Sequence, residues 1–224
     1  MATETKANKN PKHLLIILLG LAIAYLPSYI HKIMNWTGVE VGPDGPPSVL
    51  IWNWLAVALL LGYIVYVERQ KLASILLVKP KKKDIEWAFW FWGIATTTSW
   101  LATILFPPDA NQGMNELLSY SAPVIFGIII TAAITEEILF RGYLIERIKA
   151  ITGKAWLAVG ISFVIFILPH ITFFGFEWLL YHGMGTIMIY VLYVWRKNLY
   201  ACMVMHLLGN LPIMLPALGI VAQS

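Results

Sequence analysis

The chain has 224 residues, 59% hydrophobic and only 12% charged, with a formal net charge of +4 at pH 7. A water-soluble globular domain carries roughly twice that charged fraction. The apolar residues lie in long runs, of the order a helix needs (about 20 residues) to cross about 30 Å of hydrocarbon. An ordinary soluble enzyme is thereby excluded. The single cysteine, Cys202, also excludes an internal disulfide and a multi-cysteine metal site. What remains is an all-α, polytopic transmembrane helix bundle, since membrane β-strands would alternate in polarity instead.

Seven spans are predicted in chain order, at 14–34, 49–67, 87–106, 117–140, 155–171, 179–195 and 199–221. The first has a lysine-bearing flank and an Ala22-Ile23-Ala24 that looks like a signal-peptide cleavage site. Its hydrophobicity continues to Met34 and fills a full span, so it is expected to be retained. Gly42-Pro43-Asp44-Gly45-Pro46-Pro47 then forms a turn-rich loop. Residues 68–86 are the longest basic connection, with Lys79-Pro80-Lys81-Lys82-Lys83. Within it, Leu72 to Val78 are predicted to lie on the membrane surface as a short amphipathic piece. Phe106-Pro107-Pro108-Asp109 ends the third span. Trp36, Trp52, Trp54, Trp87, Tyr120, Trp178, Trp195 and Tyr200 fall near span ends, as interfacial anchors do.

The basic residues test this arrangement. With the N-terminus cytoplasmic, 15 of the 16 lysines and arginines fall inside and only Lys32 falls outside, the asymmetry that the positive-inside rule requires. The C-terminus is then outside. The positive charge is a topology signal facing the lipid bilayer and calls for no nucleic-acid partner. There is no internal repeat and no linker, so residues 1–224 read as a single integral membrane domain, with a catalytic core at about 117–215.

The fourth span ends in Glu136-Glu137-Ile138-Leu139-Phe140-Arg141. A carboxylate inside a membrane segment costs several kcal/mol and by default marks function. On an α-helix Glu137 and Arg141 share a face. Glu136 is turned about 100° away and cannot use the same partner. Arg141 is therefore expected to hold Glu137 ionised, leaving Glu136 pointed into the bundle as a general base. His170 follows Pro169, which cannot donate to the carbonyl of Ile165 and loosens the fifth helix there. His206 and Asn210 are four residues apart in the last span and offer two donors to one point, which suits an oxyanion hole. Together these residues make the set for hydrolysing an acyl bond with water as nucleophile. No G-x-S-x-G or H-E-x-x-H sequence occurs. Cys202 lies four residues before His206 but reads as packing. Glu177 and His182 flank an outer connection and are given no role, nor are His13 and His31 at span ends.

Glu136-Glu137-x-x-x-Arg141, Phe166-x-x-x-His170 and His206-x-x-x-Asn210, in that order on separate spans, resemble the three-motif pattern of the CPBP (CAAX protease and bacteriocin-processing, also Abi) family, which includes the eukaryotic Ras-converting enzyme. The resemblance covers about residues 117–215. It implies an intramembrane endopeptidase with its site in a cavity among the core helices. By this resemblance Glu136 activates water and His170 positions it. His206 and Asn210 stabilise the oxyanion, Glu137 and Arg141 form a supporting pair, and Phe166 belongs to the same support. Many members are labelled metalloproteases, and Glu136, His170 and His206 could hold a divalent metal such as zinc. The likeness to the Ras-converting enzyme favours a metal-free reaction with no cofactor. The implied substrate is a peptide or lipidated, CAAX-like prenylated protein at the membrane. The short loops and cytoplasmic N-terminus resemble prokaryotic plasma-membrane members.

Two other functions fit the same residues less well. A non-catalytic scaffold or bacteriocin-immunity protein would be expected to lose a motif. A proton-coupled transporter would be expected to show repeats. One geometric demand follows from the peptidase reading. Glu136 sits near the cytoplasmic end of its span, and His170 lies about 24 Å along the next helix counted from Lys154. For the two to meet, the fourth helix must run past Arg141 or the fifth must begin later.

Overall fold

The computed structural model describes residues 11–39, 41–108 and 111–220. Lys6, Lys9, Asp109 and Val221, which entered the topology above, lie outside the described residues, as do the side chains of His31 and Lys32. Among the described residues every regular element is helical. In chain order the helices are α1 (Pro11–Trp36), α2 (Val49–Tyr66), α3 (Lys82–Leu105), α4 (Gln112–Leu118), α5 (Ala122–Glu136), α6 (Glu146–Thr152), α7 (Ala155–Phe174), α8 (Trp178–Arg196), α9 (Leu199–Asn210) and α10 (Met214–Ala217).

Helices thus occupy all seven predicted segments. Five stretches are long and apolar enough to cross a membrane: Pro46–Tyr66, Ala122–Thr152, Ala155–Phe174, Trp178–Arg196 and Leu199–Ala217. α1 is apolar chiefly over Pro11–Pro27. α3 mixes Lys82, Lys83, Asp84 and Glu86 with a run of hydroxyl residues, Thr96 to Ser99, which lowers its hydropathy despite its length.

The fourth segment differs most from its predicted 117–140. Leu117 and Leu118 belong to the separate helix α4, and the segment's own helix runs unbroken from Ala122 to Thr152. The charged residues after Arg141 look in sequence like a solvated helix end, yet the fold pairs them. Arg147 binds Glu68 through Nε at 3.1 Å and Nη2 at 2.5 Å, and also reaches Ser74 Oγ at 3.1 Å. Glu146 takes Lys149 and, at 2.9 Å, the Tyr193 hydroxyl. With charges satisfied in this way, the helix has no reason to stop before Gly153, whose φ of 72° provides the left-handed cap. α7 then returns antiparallel.

The connections after α2, α6 and α8 gather at one end. Besides Glu68–Arg147, Arg196 grips Asp84 Oδ1 at 2.9 and 2.7 Å, and the Asn198 amide donates to the Val78 carbonyl at 2.9 Å. The 72–78 segment does not lie flat on the membrane as predicted. Ile75 is fully buried and the Leu76 carbonyl accepts the Leu199 N–H at 3.1 Å, so the segment plugs the end of the bundle. At the opposite end α4 presses on the last turn of α7. A Cβ on Gly113 would come 2.2 Å from the Phe173 carbonyl oxygen, so only glycine permits this approach. Asn111 caps α4 by accepting the Met114 N–H at 3.0 Å and donates to the Phe174 carbonyl.

Candidate active site

The long helix widens where the motif begins. From Glu137 to Ile145 its turns are π-helical, a form that often marks functional sites. The change of hydrogen-bond step loosens the carbonyl ladder, and neighbouring hydroxyls fill in. Tyr25 of α1 donates to the Leu139 carbonyl at 3.0 Å, and Ser162 of α7 donates to the Phe140 carbonyl at 2.8 Å. Since the Ser162 proton is committed, the Tyr190 hydroxyl 3.0 Å away is the donor to Ser162 Oγ. Gly142 leaves room for the plug, since a Cβ there would sit 3.2 Å from the Ile75 carbonyl oxygen.

The π-segment places Glu137 and Arg141 in contact, with Arg141 Nη1 donating to Glu137 Oε1 at 2.7 Å and both side chains at 0% exposure. The guanidinium also lies 4.1 Å from the ring centre of Phe166 and 4.4 Å from that of Tyr190. Cation–π contacts are worth about 0.5–1 kcal/mol each even at exposed sites. The spacing Phe166-x-x-x-His170 therefore has a structural reading, with Phe166 as one wall of the arginine's seat.

The same Glu137 Oε1 lies 2.8 Å from His206 Nδ1. Glu137 is an acceptor held against a guanidinium, so His206 donates at Nδ1, and this bond fixes the tilt of the ring. Its other nitrogen, Nε2, faces Glu136, with Oε2 at 3.8 Å. That distance is too long for a hydrogen bond. Glu136 Oε2 makes no hydrogen bond among the described residues. The two adjacent glutamates thus have different surroundings: Glu137 is fully buried, with Oε1 shared by Arg141 and His206 and Oε2 without a hydrogen bond among the described residues, while Glu136 lines a cavity of about 850 Å³.

His170 lines that cavity too, as do His206 and Asn210. The demand raised by the sequence is met by the longer helix. Glu136 lies 16 residues before Thr152 and His170 lies 15 residues after Ala155, so a symmetric descent and return bring them to the same height. The His170 ring donates through Nδ1 to the Phe166 carbonyl at 2.8 Å, which leaves Nε2 for the cavity. The ring stacks on Trp178 at 4.6 Å between centroids and contacts Phe166 at 4.7 Å. Trp178 is therefore a wall of the site rather than the interfacial anchor its position suggested.

Asn210 ends α9, one turn beyond His206. Pro212 has no N–H for the Leu208 carbonyl, and the Trp92 indole of α3 donates there instead at 3.1 Å. Other cavity-lining residues carried no signal readable in the sequence. His182 lies one turn after Trp178 on α8, with its ring 5.4 Å from that tryptophan, and lines the cavity. Asn53 of α2 lines it as well and donates to Thr135 Oγ1 at 3.3 Å. Cys202 is fully buried, with its thiol directed at the backbone carbonyls of Asn198 and Ile189. Its burial and those contacts match the packing role read from the sequence.

A zinc site needs three or more donors that converge on one point. Among the described residues no group of three histidine, cysteine, aspartate or glutamate side chains converges closely enough to hold a metal ion. Glu136, His170 and His206 share the cavity but not a common ligand point, and His206 spends Nδ1 on Glu137. The set does not fit a metal as it stands.

Residues 118–212 match the family model described as type II CAAX prenyl endopeptidase Rce1-like. No curated protein and no solved structure matches the chain. The matched stretch contains all three motifs and the whole helical hairpin that aligns Glu136 with His170. Over this segment the chain is similar to the Rce1-like type II CAAX prenyl endopeptidases.

Proposed function

We propose that this chain is an intramembrane endopeptidase in which Glu136 activates water to cleave a peptide bond of a membrane-associated substrate. The observation that carries the reading is the unequal pair. Oε1 of Glu137 is held by both Arg141 and His206 in a fully buried site, whereas Glu136 lines the cavity with His170, His206 and Asn210 and makes no hydrogen bond at Oε2.

Glu136 takes a proton from water as its oxygen bonds to the scissile carbonyl carbon. His170, through its free Nε2, orients that water. The carbonyl oxygen becomes an oxyanion, and the donors available to it are His206 Nε2–H and the Asn210 amide. Because Nδ1 of His206 already donates to Glu137, a donor at Nε2 requires the doubly protonated imidazolium. On collapse the C–N bond breaks and Glu136 returns its proton to the leaving amine. No step passes through a metal.

Glu136→Gln keeps the volume and removes the base. It should leave the protein folded and lower cleavage by about 10²–10⁴-fold. The measurement compares peptide termini in membranes holding wild type and variant at matched levels. Cleavage by the glutamine variant at the wild-type rate would discard Glu136 as the base.

A further inference from the structure

α7 and α8 part along their outer faces and leave a groove of about 330 Å³ that shares no lining residue with the cavity of Glu136. Val159 and Phe163 of α7 form one wall, and Ile187, Val191 and Val194 of α8 form the other. The three α8 residues are exposed, so the groove lies on the surface that two membrane-crossing segments turn to hydrocarbon. Tyr190 is its floor. The tyrosine hydroxyl is spent on Ser162 Oγ at 3.0 Å, so it offers the groove only its ring. That ring also meets Phe163 edge-on at 5.4 Å and lies 4.4 Å from the Arg141 guanidinium.

Inside a bilayer such a groove fills with hydrocarbon, and it cannot tell one tail from another, since lipid tails are as apolar as its walls. Any choice of lipid is made at its end. Trp195 closes the groove there, held against Trp87 at 4.6 Å between centroids. Just beyond lie Lys197, three residues after Val194, and Lys154, five residues before Val159. These steps are about 4.5 and 7.5 Å along their helices. Both lysines are exposed, and neither has an ion-pair partner among the described residues. Arg196 between them and the groove is already bonded to Asp84. Two unpaired ammonium groups at the end of an apolar groove complement a molecule with a hydrocarbon tail and a negatively charged phosphate. The match is the same whichever side of the membrane that end faces.

We propose that an anionic phospholipid occupies this groove, with an acyl chain against Tyr190 and its phosphate at Lys154 and Lys197, and that it steadies the seat of Arg141. The tyrosine belongs to both sites. A chain packed on its ring fills the space into which the ring would otherwise tilt, and the ring carries with it the Ser162 hydroxyl and the Phe140 carbonyl behind that. Binding does not depend on the peptidase reading above; an effect on cleavage does.

Thermal unfolding of the full chain in detergent tests this, with phosphatidylglycerol and phosphatidylcholine of identical acyl chains as the probes. Phosphatidylglycerol should raise the melting temperature of wild type by about 4–8 °C more than phosphatidylcholine does. Lys154→Gln with Lys197→Gln should melt as wild type without lipid and lose that difference. Arg69→Gln with Lys71→Gln removes the same charge from the connection after α2 and should keep it. Val191→Trp fills the groove, leaves both lysines in place and should lose it. Equal shifts by the two lipids in wild type overturn the proposal. So does a difference that survives in the Lys154 and Lys197 variant or in Val191→Trp, or one that the Arg69 and Lys71 variant loses as well. The lipid preference without Glu136-dependent cleavage would keep this site and discard the peptidase; cleavage without the preference would discard this site alone.

Discussion

Arg141→Ala should unfold the site before it changes any chemistry. Arg141 is fully buried, bonds Glu137 at 2.7 Å and lies over two aromatic rings at 4.1 and 4.4 Å. Removing one member of a buried ion pair costs about 3–5 kcal/mol, because the other charge is stranded. His206 remains 2.8 Å from Glu137 and can share that charge, which favours the lower bound, about 3 kcal/mol. Loss of the two ring contacts adds about 1–2 kcal/mol. A total near 4–5 kcal/mol is on the order of a thousandfold in the folded ratio, and roughly 8–20 °C in melting temperature for a chain of this size. The assay is thermal unfolding in detergent, read by size-exclusion retention. The combination Arg141→Met with Glu137→Gln removes both charges at similar volume and should recover most of the loss. If Arg141→Ala melts within about 2 °C of wild type, or if the double variant is no better than the single, Arg141 does not act as the counter-charge of Glu137.

Three further outcomes are expected. Trp178→Ala should lower kcat with little change in melting temperature, and Trp178→Phe should restore most of it, because a ring at this position stacks on His170; equal rates for all three would remove Trp178 as its positioning residue. Ser162→Ala leaves the Phe140 carbonyl without its hydroxyl donor and should cost about 1–3 kcal/mol of stability, while Ser162→Thr keeps the donor; unfolding curves that overlay for wild type and alanine would refute this. Treatment with a zinc chelator should leave cleavage unchanged after any bound metal has been stripped and verified by elemental analysis, and activity that falls and returns with added zinc would reverse the metal-free reading.

Much of this arrangement was legible in the sequence because it is local. Glu137 and Arg141 are four residues apart, and their contact follows from helical spacing alone. The helix positions followed from apolar run length. What could not be read is long-range. The continuation to Thr152 depends on Glu68 and Tyr193, which neutralise Arg147 and Glu146 from 79 and 47 residues away. A hydropathy window sees those charges but not their partners, and therefore ends the span too soon. The π-helical turns leave no periodic mark over nine residues. His182 was given no role because, with Glu177, it flanks an outer connection, and nothing local shows that this end of α8 faces a cavity. The bond from His206 to Glu137 was also hidden, since it joins helices 69 residues apart in sequence and engages one nitrogen of a side chain that was expected to act with Asn210 on an oxyanion.

The equal arms of the α5–α7 hairpin set a length tolerance for the molecule. Glu136 and His170 face one cavity only while the descent to Thr152 and the return from Ala155 stay matched. One residue inserted into α6 or early α7 would turn one partner by about 100° and shift it about 1.5 Å against the other. The connections after α1 and α3 carry no such constraint. Viable insertions and deletions should therefore collect around 37–48 and 106–111 and be absent between Glu136 and His170. A library of single-residue insertions scored for cleavage would map the reactive hairpin as one uninterrupted gap.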